Sequence, residues 1–244
     1  MDLKGKWALV TAGHVRLGRA ISRALARGGA NILFTFRSDD ASAAEAQREL
    51  EGLGAKVEAL RCELGDPAEV QGLIQRVTPF APSVLINNAA IFPKNDLGDT
   101  TAADWDRVMA VNLRAPFLLA QSLGLEMKRR GAGKIVNLGD WAGERPYHMP
   151  GYLPYMVSKA GILHLTRTLA LELAPAVQVN SVCPGPVLFP EGTPSEEEAA
   201  AIRATPLQRH GSPDDVAKAV MLVVAETDFM TGSTLMVDGG RLIA

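Results

Sequence analysis

Short, continuously apolar runs alternate along this chain with segments of helical periodicity, and that alternation limits what it can fold into more than any other feature. Strand-like runs occupy 7–12 (WALVTA), 31–36 (NILFTF), 56–62 (KVEALRC), 83–89 (SVLINNA), 133–139 (GKIVNLG), 177–183 (VQVNSVC) and 233–238 (STLMVD). Runs that are largely apolar throughout, rather than at alternate positions, need cover on both faces, and the intervening helices supply it. Leu17, Ile21, Ala24 and Leu25 keep helical spacing over 17–28, and an Ala/Glu-rich helix follows over 40–52. Asp66-Pro67 starts a third helix with a cap and a first-turn proline. Further helices are expected from Asp104 to Arg130, where Pro116 implies a kink or an earlier start, from Tyr155 to Leu173, and from Pro213 to about Val224. The expected class is α/β, three layers around a central seven-stranded parallel sheet. No linker, composition break or internal repeat divides the pattern, so 1–244 reads as one domain. The segment 184–212, rich in Pro, Gly and Glu, is a long excursion of the kind that forms active-site lids.

Charge narrows the partners. The chain carries 25 basic and 27 acidic side chains, for a formal net charge of -2, so no field favours a polyanion. Lys128-Arg129-Arg130 is the one basic cluster, and it sits where a helix ends, which suits a solvated C-terminus better than a nucleic-acid patch. No signal-peptide stretch precedes the first glycine turn and no run of 18 apolar residues occurs, so a soluble protein of the cytoplasm is expected, with no membrane contact. Cys62 and Cys183 follow strand-like runs in no metal or redox spacing, and His14, His148, His164 and His210 show no ligand spacing. No metal is expected.

The first turn, Thr11-Ala12-Gly13-His14-Val15-Arg16-Leu17-Gly18, joins a strand to a helix, an arrangement that presents free N–H groups to a pyrophosphate. Gly13 would let backbone approach the phosphates, Gly18 would let the helix pack closely on the sheet, and His14 reads as a turn residue near the site. The second strand ends in Phe36-Arg37-Ser38, where binders of the unphosphorylated dinucleotide usually place a carboxylate. Arg37 can bind a 2′-phosphate through two parallel hydrogen bonds, Ser38 can add a hydroxyl, and Arg16 can pair with the same phosphate or stack on adenine. Asp39 and Asp40 argue the other way unless they cap the next helix. The balance favours NADPH. Asp66 can accept from the adenine amino group or cap its helix. Asn87-Asn88-Ala89-Ala90 ends the fourth strand, where small side chains permit close cofactor contact, and Asn87 can fix the strand ends.

Tyr155 and Lys159 lie four residues apart on one expected helix, so they share a face. A lysine cation beside a phenol favours the phenolate and lowers its pKa toward working pH, which makes Tyr155 a proton donor beside a bound nicotinamide.

Together these pieces make the chain resemble a short-chain dehydrogenase/reductase over essentially its whole length, a Rossmann-type fold. The matching pieces are the turn from Thr11 to Gly18, Asp66, Asn87 to Ala90, Asn112, Val136 to Asp140, Tyr155 to Lys159, Pro184 to Pro186 and Val237 to Gly240. The resemblance implies Tyr155 as general acid and Lys159 as its partner on the nicotinamide ribose. It implies Asn112 kinking its helix and anchoring a relay water, Pro184 and Gly185 wrapping the nicotinamide, and the Val187 backbone reaching its carboxamide. Most members carry serine where this chain has Asp140, and many carry glycine at positions 12 and 16. Arg16, the Arg37-Ser38 pair and Asp140 are together similar to the pteridine reductase branch, in which Phe92 would stack a pterin against the nicotinamide. That branch implies NADPH-dependent reduction of a C=N bond in a dihydropterin, with Asp140 orienting Tyr155 or binding the pterin amino edge. The alternative is a carbonyl reductase acting on a 3-oxoacyl, sugar or other ketone substrate. Gly139 would loosen the strand end, and the fifteen-residue spacing from Asp140 to Tyr155 exceeds the family's usual one. The intervening segment, with Trp141, Tyr147, His148 and Tyr152, is expected to wall the substrate site, and Glu191 and Glu196 to Glu198 to disfavour anionic substrates if they face inward. Apolar helices at 104–130 and 155–173 and the relatives' habit imply a homotetramer.

Overall fold

The computed structural model describes residues 1–147, 149–189 and 192–244; the expectations placed on His148 and Glu191 lie outside the described residues. Seven parallel strands form one sheet in the order β3-β2-β1-β4-β5-β6-β7. They are β1 (Trp7–Val10), β2 (Asn31–Phe36), β3 (Val57–Arg61), β4 (Val84–Asn87), β5 (Gly133–Leu138), β6 (Val177–Pro184) and β7 (Thr234–Val237). The chain winds outward from β1 to β3, then crosses back to lay β4 on the other side of β1, pairing Ala8 with Val84 on one edge and Ile32 on the other. This reversal leaves a crevice beyond the carboxyl ends of β1 and β4, where ligands of open α/β sheets bind.

Side-chain alternation explains the two-faced cover. Ala8 and Val10, Ile32 and Phe34, and Val84 and Ile86 point to one face, where they meet Ile21, Leu25 and Val220. Leu9, Leu33 and Leu85 point to the other, against Leu73, Leu119, Leu123 and Leu173. The first face is covered by α1 (Arg16–Arg27), α2 (Asp40–Gly52) and α8 (Pro213–Met221), the second by α3 (Pro67–Val77), α5 (Ala115–Arg130) and α6 (Leu153–Leu173).

Capping sets the helix starts. The helix expected from Asp104 begins two residues earlier, as α4 (Ala102–Met109), because Thr101 and Asp104 form a reciprocal capping box. Pro116 does not break the rod. A π-helical segment, Ala110–Arg114, joins α4 to α5 and widens the hydrogen-bond ladder where the proline ring would meet the Asn112 carbonyl. The stretch Ala102–Arg130 is long and apolar enough to cross a bilayer, but 56% of its apolar window is buried inside the protein, as in the core helix of a globule. The excursion after β6 carries α7 (Ser195–Arg203) before returning to Ser212, which caps α8.

A Cβ on Gly13 would lie 2.7 Å from the Phe34 Cβ and 2.8 Å from the Ser22 Oγ, so the absence of a side chain lets the turn settle on the sheet. Gly139 does not loosen the end of β5. Its N–H donates to the Val182 carbonyl at 2.9 Å, and a Cβ there would stand 2.4 Å from the Cys183 Sγ. Gly18 does serve close packing: its Cβ would stand 2.1 Å from the Ala12 carbonyl oxygen and 2.7 Å from the Asn88 Nδ2. The Gly18→Ala variant is expected to lose about 1–3 kcal/mol of stability, because backbone rather than a flexible side chain must move. Thermal or urea unfolding of the variant beside the parent protein checks this.

Candidate active site

The carboxyl ends of β1 and β4 are stitched by side chains. The Thr11 Oγ1 accepts from the Asn88 and Ala89 N–H groups, each at 2.9 Å, and the Asn88 Nδ2 donates back to the Thr11 carbonyl at 2.9 Å. Behind them the buried Asn87 Nδ2 donates to the Asn137 Oδ1 at 2.8 Å, and the Asn137 Nδ2 donates to the Thr166 Oγ1 at 2.9 Å. Thr11 and Asn88, expected to touch cofactor, use their side chains to tie the ends of β1 and β4 together.

Beside the stitch lies a cavity of about 230 Å³ lined by Ala12, His14, Arg37, Glu63, Leu64 and Ala89, among others. His14 is buried with its ring stacked on Phe34 at 6.2 Å, and burial holds its imidazole below the usual value, so it is a neutral wall residue. Arg37 lines the cavity from an exposed position, followed by exposed Ser38, and no hydrogen bond or ion pair engages its guanidinium among the described residues. The two carboxylates that opposed it are occupied: Asp39 caps α2 by accepting from the Ser42 N–H, and Asp40 pairs with Arg61. Asp66 is a helix cap, accepting from the Ala68 N–H at 2.8 Å, and lines a neighbouring cleft instead. Glu63 and Leu64, which follow β3 more closely, line the cavity.

Arg16 departs from expectation. Its guanidinium donates to the carbonyls of Leu188 and Phe189, at 3.0 and 3.1 Å, and so bridges the first turn to the excursion after β6. Both Ala12 and Arg16 hold left-handed backbone, with φ of 51° and 49°, at the positions where glycine is common in this kind of turn. Val15 precedes α1 as its cap and Leu17 packs on the core. Pro184 ends β6. Gly185 donates to the Val237 carbonyl at 3.0 Å, where a Cβ would meet the Asp238 Cα at 2.6 Å, and Val187 is buried in the core.

On the other side of the crevice α6 brings Tyr155 and Lys159 together with Asp140 at the end of β5. The Tyr155 hydroxyl donates to the Asp140 Oδ2 at 2.7 Å, while the Oδ1 accepts from the Ala142 N–H at 2.9 Å. The buried Lys159 Nζ donates to the Leu138 carbonyl at 2.7 Å and stands 5.6 Å from the Tyr155 ring centroid. Asn112, on the π segment, holds the Ile91 backbone from both sides: its Oδ1 accepts from the Ile91 N–H at 2.9 Å and its Nδ2 donates to the Ile91 carbonyl at 3.0 Å. The same Nδ2 lies 3.1 Å from the Ser158 Oγ, a partner that sequence reading missed because the serine hides inside the Tyr-to-Lys spacing. Phe92 meets Tyr155 edge-on, with ring centroids 4.4 Å apart. Trp141 and Tyr147, expected in the substrate wall, instead pack on each other and under the Arg241 guanidinium.

Electrostatics here also correct an expectation. Asp140 and Tyr155 keep partial surface exposure, yet desolvation of their polar ends dominates. Burial raises the Asp140 carboxyl above the ordinary carboxylate value, against the opposing Ala142, Tyr155 and Lys159 contacts. Burial, reinforced by the Asp140 charge, pushes the Tyr155 phenol well above its ordinary value. The lysine does not lower it. Burial lowers Lys159 itself, with the Asp140 charge opposing. Tyr155 is therefore a held phenol whose proton points at Asp140. The arrangement can deliver a proton to a substrate oxygen or nitrogen once Asp140 ceases to compete for it.

The chain is similar to known oxidoreductases along nearly all of its length. Residues 13–241 match the family model described as enoyl-(acyl carrier protein) reductase. The human dehydrogenase/reductase SDR family member 4 is 33% identical over 247 residues, covering 98% of this chain and 88% of that one. The 3-oxoacyl-[acyl-carrier-protein] reductase FabG of Thermotoga maritima is 32% identical over 249 residues, covering 100% of each. Among solved structures, a blue fluorescent protein from a metagenomic library in complex with NADPH has a TM-score of 0.91 at 34% identity, covering 99% of each chain.

A raised carboxyl has a consequence for stability. The folded protein binds the Asp140 proton more tightly than the unfolded chain does, so the group's contribution is fully present below the ordinary value of 3.8 and is lost as pH rises through the raised folded value. The Asp140→Asn variant keeps the Ala142 contact through its amide oxygen and donates to Tyr155 through its amide nitrogen. Its stability relative to the parent is expected to climb across that window and then level off, read from urea unfolding between pH 4 and pH 8. The seven-stranded parallel sheet, the crevice at its strand-order reversal and the match along nearly the whole chain establish this protein as an oxidoreductase of the short-chain dehydrogenase/reductase family.

Proposed function

We propose that this protein is an NADPH-dependent carbonyl reductase, acting on a 3-oxoacyl or other ketone substrate. The observation that carries the reading is the Tyr155 phenol, held 2.7 Å from Asp140 and beside the buried Lys159, at the crevice end of the sheet. The kinship with a 3-oxoacyl reductase supports the substrate class. The Arg37 guanidinium lining the cavity, without a hydrogen bond or ion pair among the described residues and with Asp39 and Asp40 both occupied, supports the phosphorylated cofactor. The residues fit the group: Ala12, His14, Leu64 and Ala89 would wall the adenosine half, Arg37 and Ser38 would hold the 2′-phosphate, and the first turn of α1 would receive the pyrophosphate. Pro184, Gly185 and Val187 would flank the nicotinamide. When bound, NADPH supplies the hydride that reaches the carbonyl carbon.

In the proposed reaction Tyr155 protonates the substrate oxygen. Protonated Asp140 donates to the Tyr155 oxygen and turns the phenol proton toward substrate, whereas ionised Asp140 accepts that proton and withholds it. Lys159 holds the nicotinamide ribose through its ammonium. Asn112 fixes the Ile91–Phe92 strand exit against α6 and so sets the distance from Phe92 to Tyr155. We further propose that 1–244 forms one nucleotide-binding domain with 184–212 as its lid, tethered through Arg16, and that it assembles as a homotetramer through α5 and α6. Exposed Leu125 and Leu171, 53% and 82% accessible, are the apolar surface for that contact.

A pterin substrate is the second reading, favoured by Asp140 in place of serine and by Phe92 beside Tyr155. The relatives named above lend it no support. NADPH oxidation measured with a 3-oxoacyl thioester, simple ketones and 7,8-dihydrobiopterin separates the two. Ketone turnover is expected, and an inert ketone panel with a fast pterin would overturn the main reading. Tyr155→Phe is expected to lower kcat by about 10²–10⁴-fold with any substrate. Arg37→Ala is expected to raise KM for NADPH about 10- to 100-fold while leaving NADH nearly unchanged. For the parent protein kcat/KM falls as pH rises through the raised Asp140 value, and Asp140→Ser removes that limb.

A further inference from the structure

One face of the Phe92 ring is already covered. Its ring lies flat on Tyr152, with centroids 4.0 Å apart and planes 12° from parallel. Two carbon layers at that separation are in contact and admit no third ring between them. Both partners are held. Asn112 pins Ile91, immediately before Phe92, and Tyr152 is the residue that opens α6, with its carbonyl accepting from the Met156 N–H at 3.0 Å. The two loops are also knit together, since the Asn95 N–H donates to the Gly151 carbonyl at 2.8 Å, where Gly151 takes the left-handed φ of 82°. The Tyr152 hydroxyl makes no hydrogen bond among the described residues, so ring stacking rather than a polar contact holds this side chain.

Resting on the carbonyl-reductase reading, we propose that Tyr152 is a specificity-determining plug. Stacked on Phe92, it bars flat bicyclic rings from that face and favours ketones that need no aromatic stacking place beside Tyr155. Phe92 remains the edge-on wall of Tyr155. A flat ring takes the covered face of Phe92 only by displacing Tyr152, at the cost of the aromatic contact.

The test compares kcat/KM for cyclohexanone, a compact alicyclic ketone, with that for 1-indanone, a flat bicyclic one, in the parent protein, Tyr152→Ala and Tyr152→Phe, each saturated with NADPH. The indanone-to-cyclohexanone ratio is expected to rise about tenfold in Tyr152→Ala and to stay within about twofold in Tyr152→Phe, which keeps the stack and loses only the unbonded hydroxyl. An unchanged ratio in Tyr152→Ala, or an equal rise in Tyr152→Phe, overturns the plug. Tyr152→Leu takes the place of the alanine variant if thermal melts show that it does not fold. If the parent protein reduces no ketone, the carbonyl-reductase reading fails separately. Calorimetric titration of the NADPH-loaded proteins with 7,8-dihydrobiopterin then decides the plug: tighter binding in Tyr152→Ala but not in Tyr152→Phe supports it, and equal binding sinks it.

Discussion

The central strands have no solvent face, and the rest of the molecule follows from covering them. Ala8, Leu9 and Val10 are wholly buried, with successive side chains entering opposite cores. A strand in that position must sit inside a sheet with helices on both sides, and helices between parallel strands force the chain to wind outward and then cross back. The crossing places β4 beside β1 and parts the connections at their carboxyl ends. The crevice is thus a by-product of covering the sheet, and the stitch from Thr11 to Asn88 and Ala89 fixes the strand ends that border it.

Within the crevice, low polarity sets the chemistry. Desolvation acts on Asp140, Tyr155 and Lys159 alike and favours the uncharged form of each, and their mutual contacts decide how far each yields. The contact between Asp140 and Tyr155 has two directions of proton donation. Which one holds depends on whether the carboxyl carries its proton, so a single buried acid links the protonation of the site to the readiness of its proton donor. A serine in that place has no charge to lose and could not make this link.

Much of this was legible before any coordinates. The seven alternating strands and helices, the Tyr155–Lys159 pair, the Thr11–Gly18 turn and the cap at Asp66 all rest on local spacing, and spacing is a property of sequence. Arg16 was expected to pair with a phosphate or stack on adenine, but its guanidinium reaches carbonyls more than 170 residues away. Trp141 and Tyr147 were expected in a substrate wall, but the C-terminal turn delivers Arg241 to them. In both cases the deciding partner is distant in sequence, and no local pattern encodes it.

The amino-acid sequence by itself determined the layered architecture, the place of the first glycine turn and the pairing of Tyr155 with Lys159 on one helix, because apolar periodicity and helical spacing act within a few residues. Only the tertiary structure decided that Tyr152 covers Phe92, that Asn112 ties the exit of β4 to α6, and that burial, reinforced by Asp140, raises the Tyr155 phenol. Those outcomes depend on desolvation and on contacts between separate elements, and both come into being only when the sheet is covered and water has left the crevice.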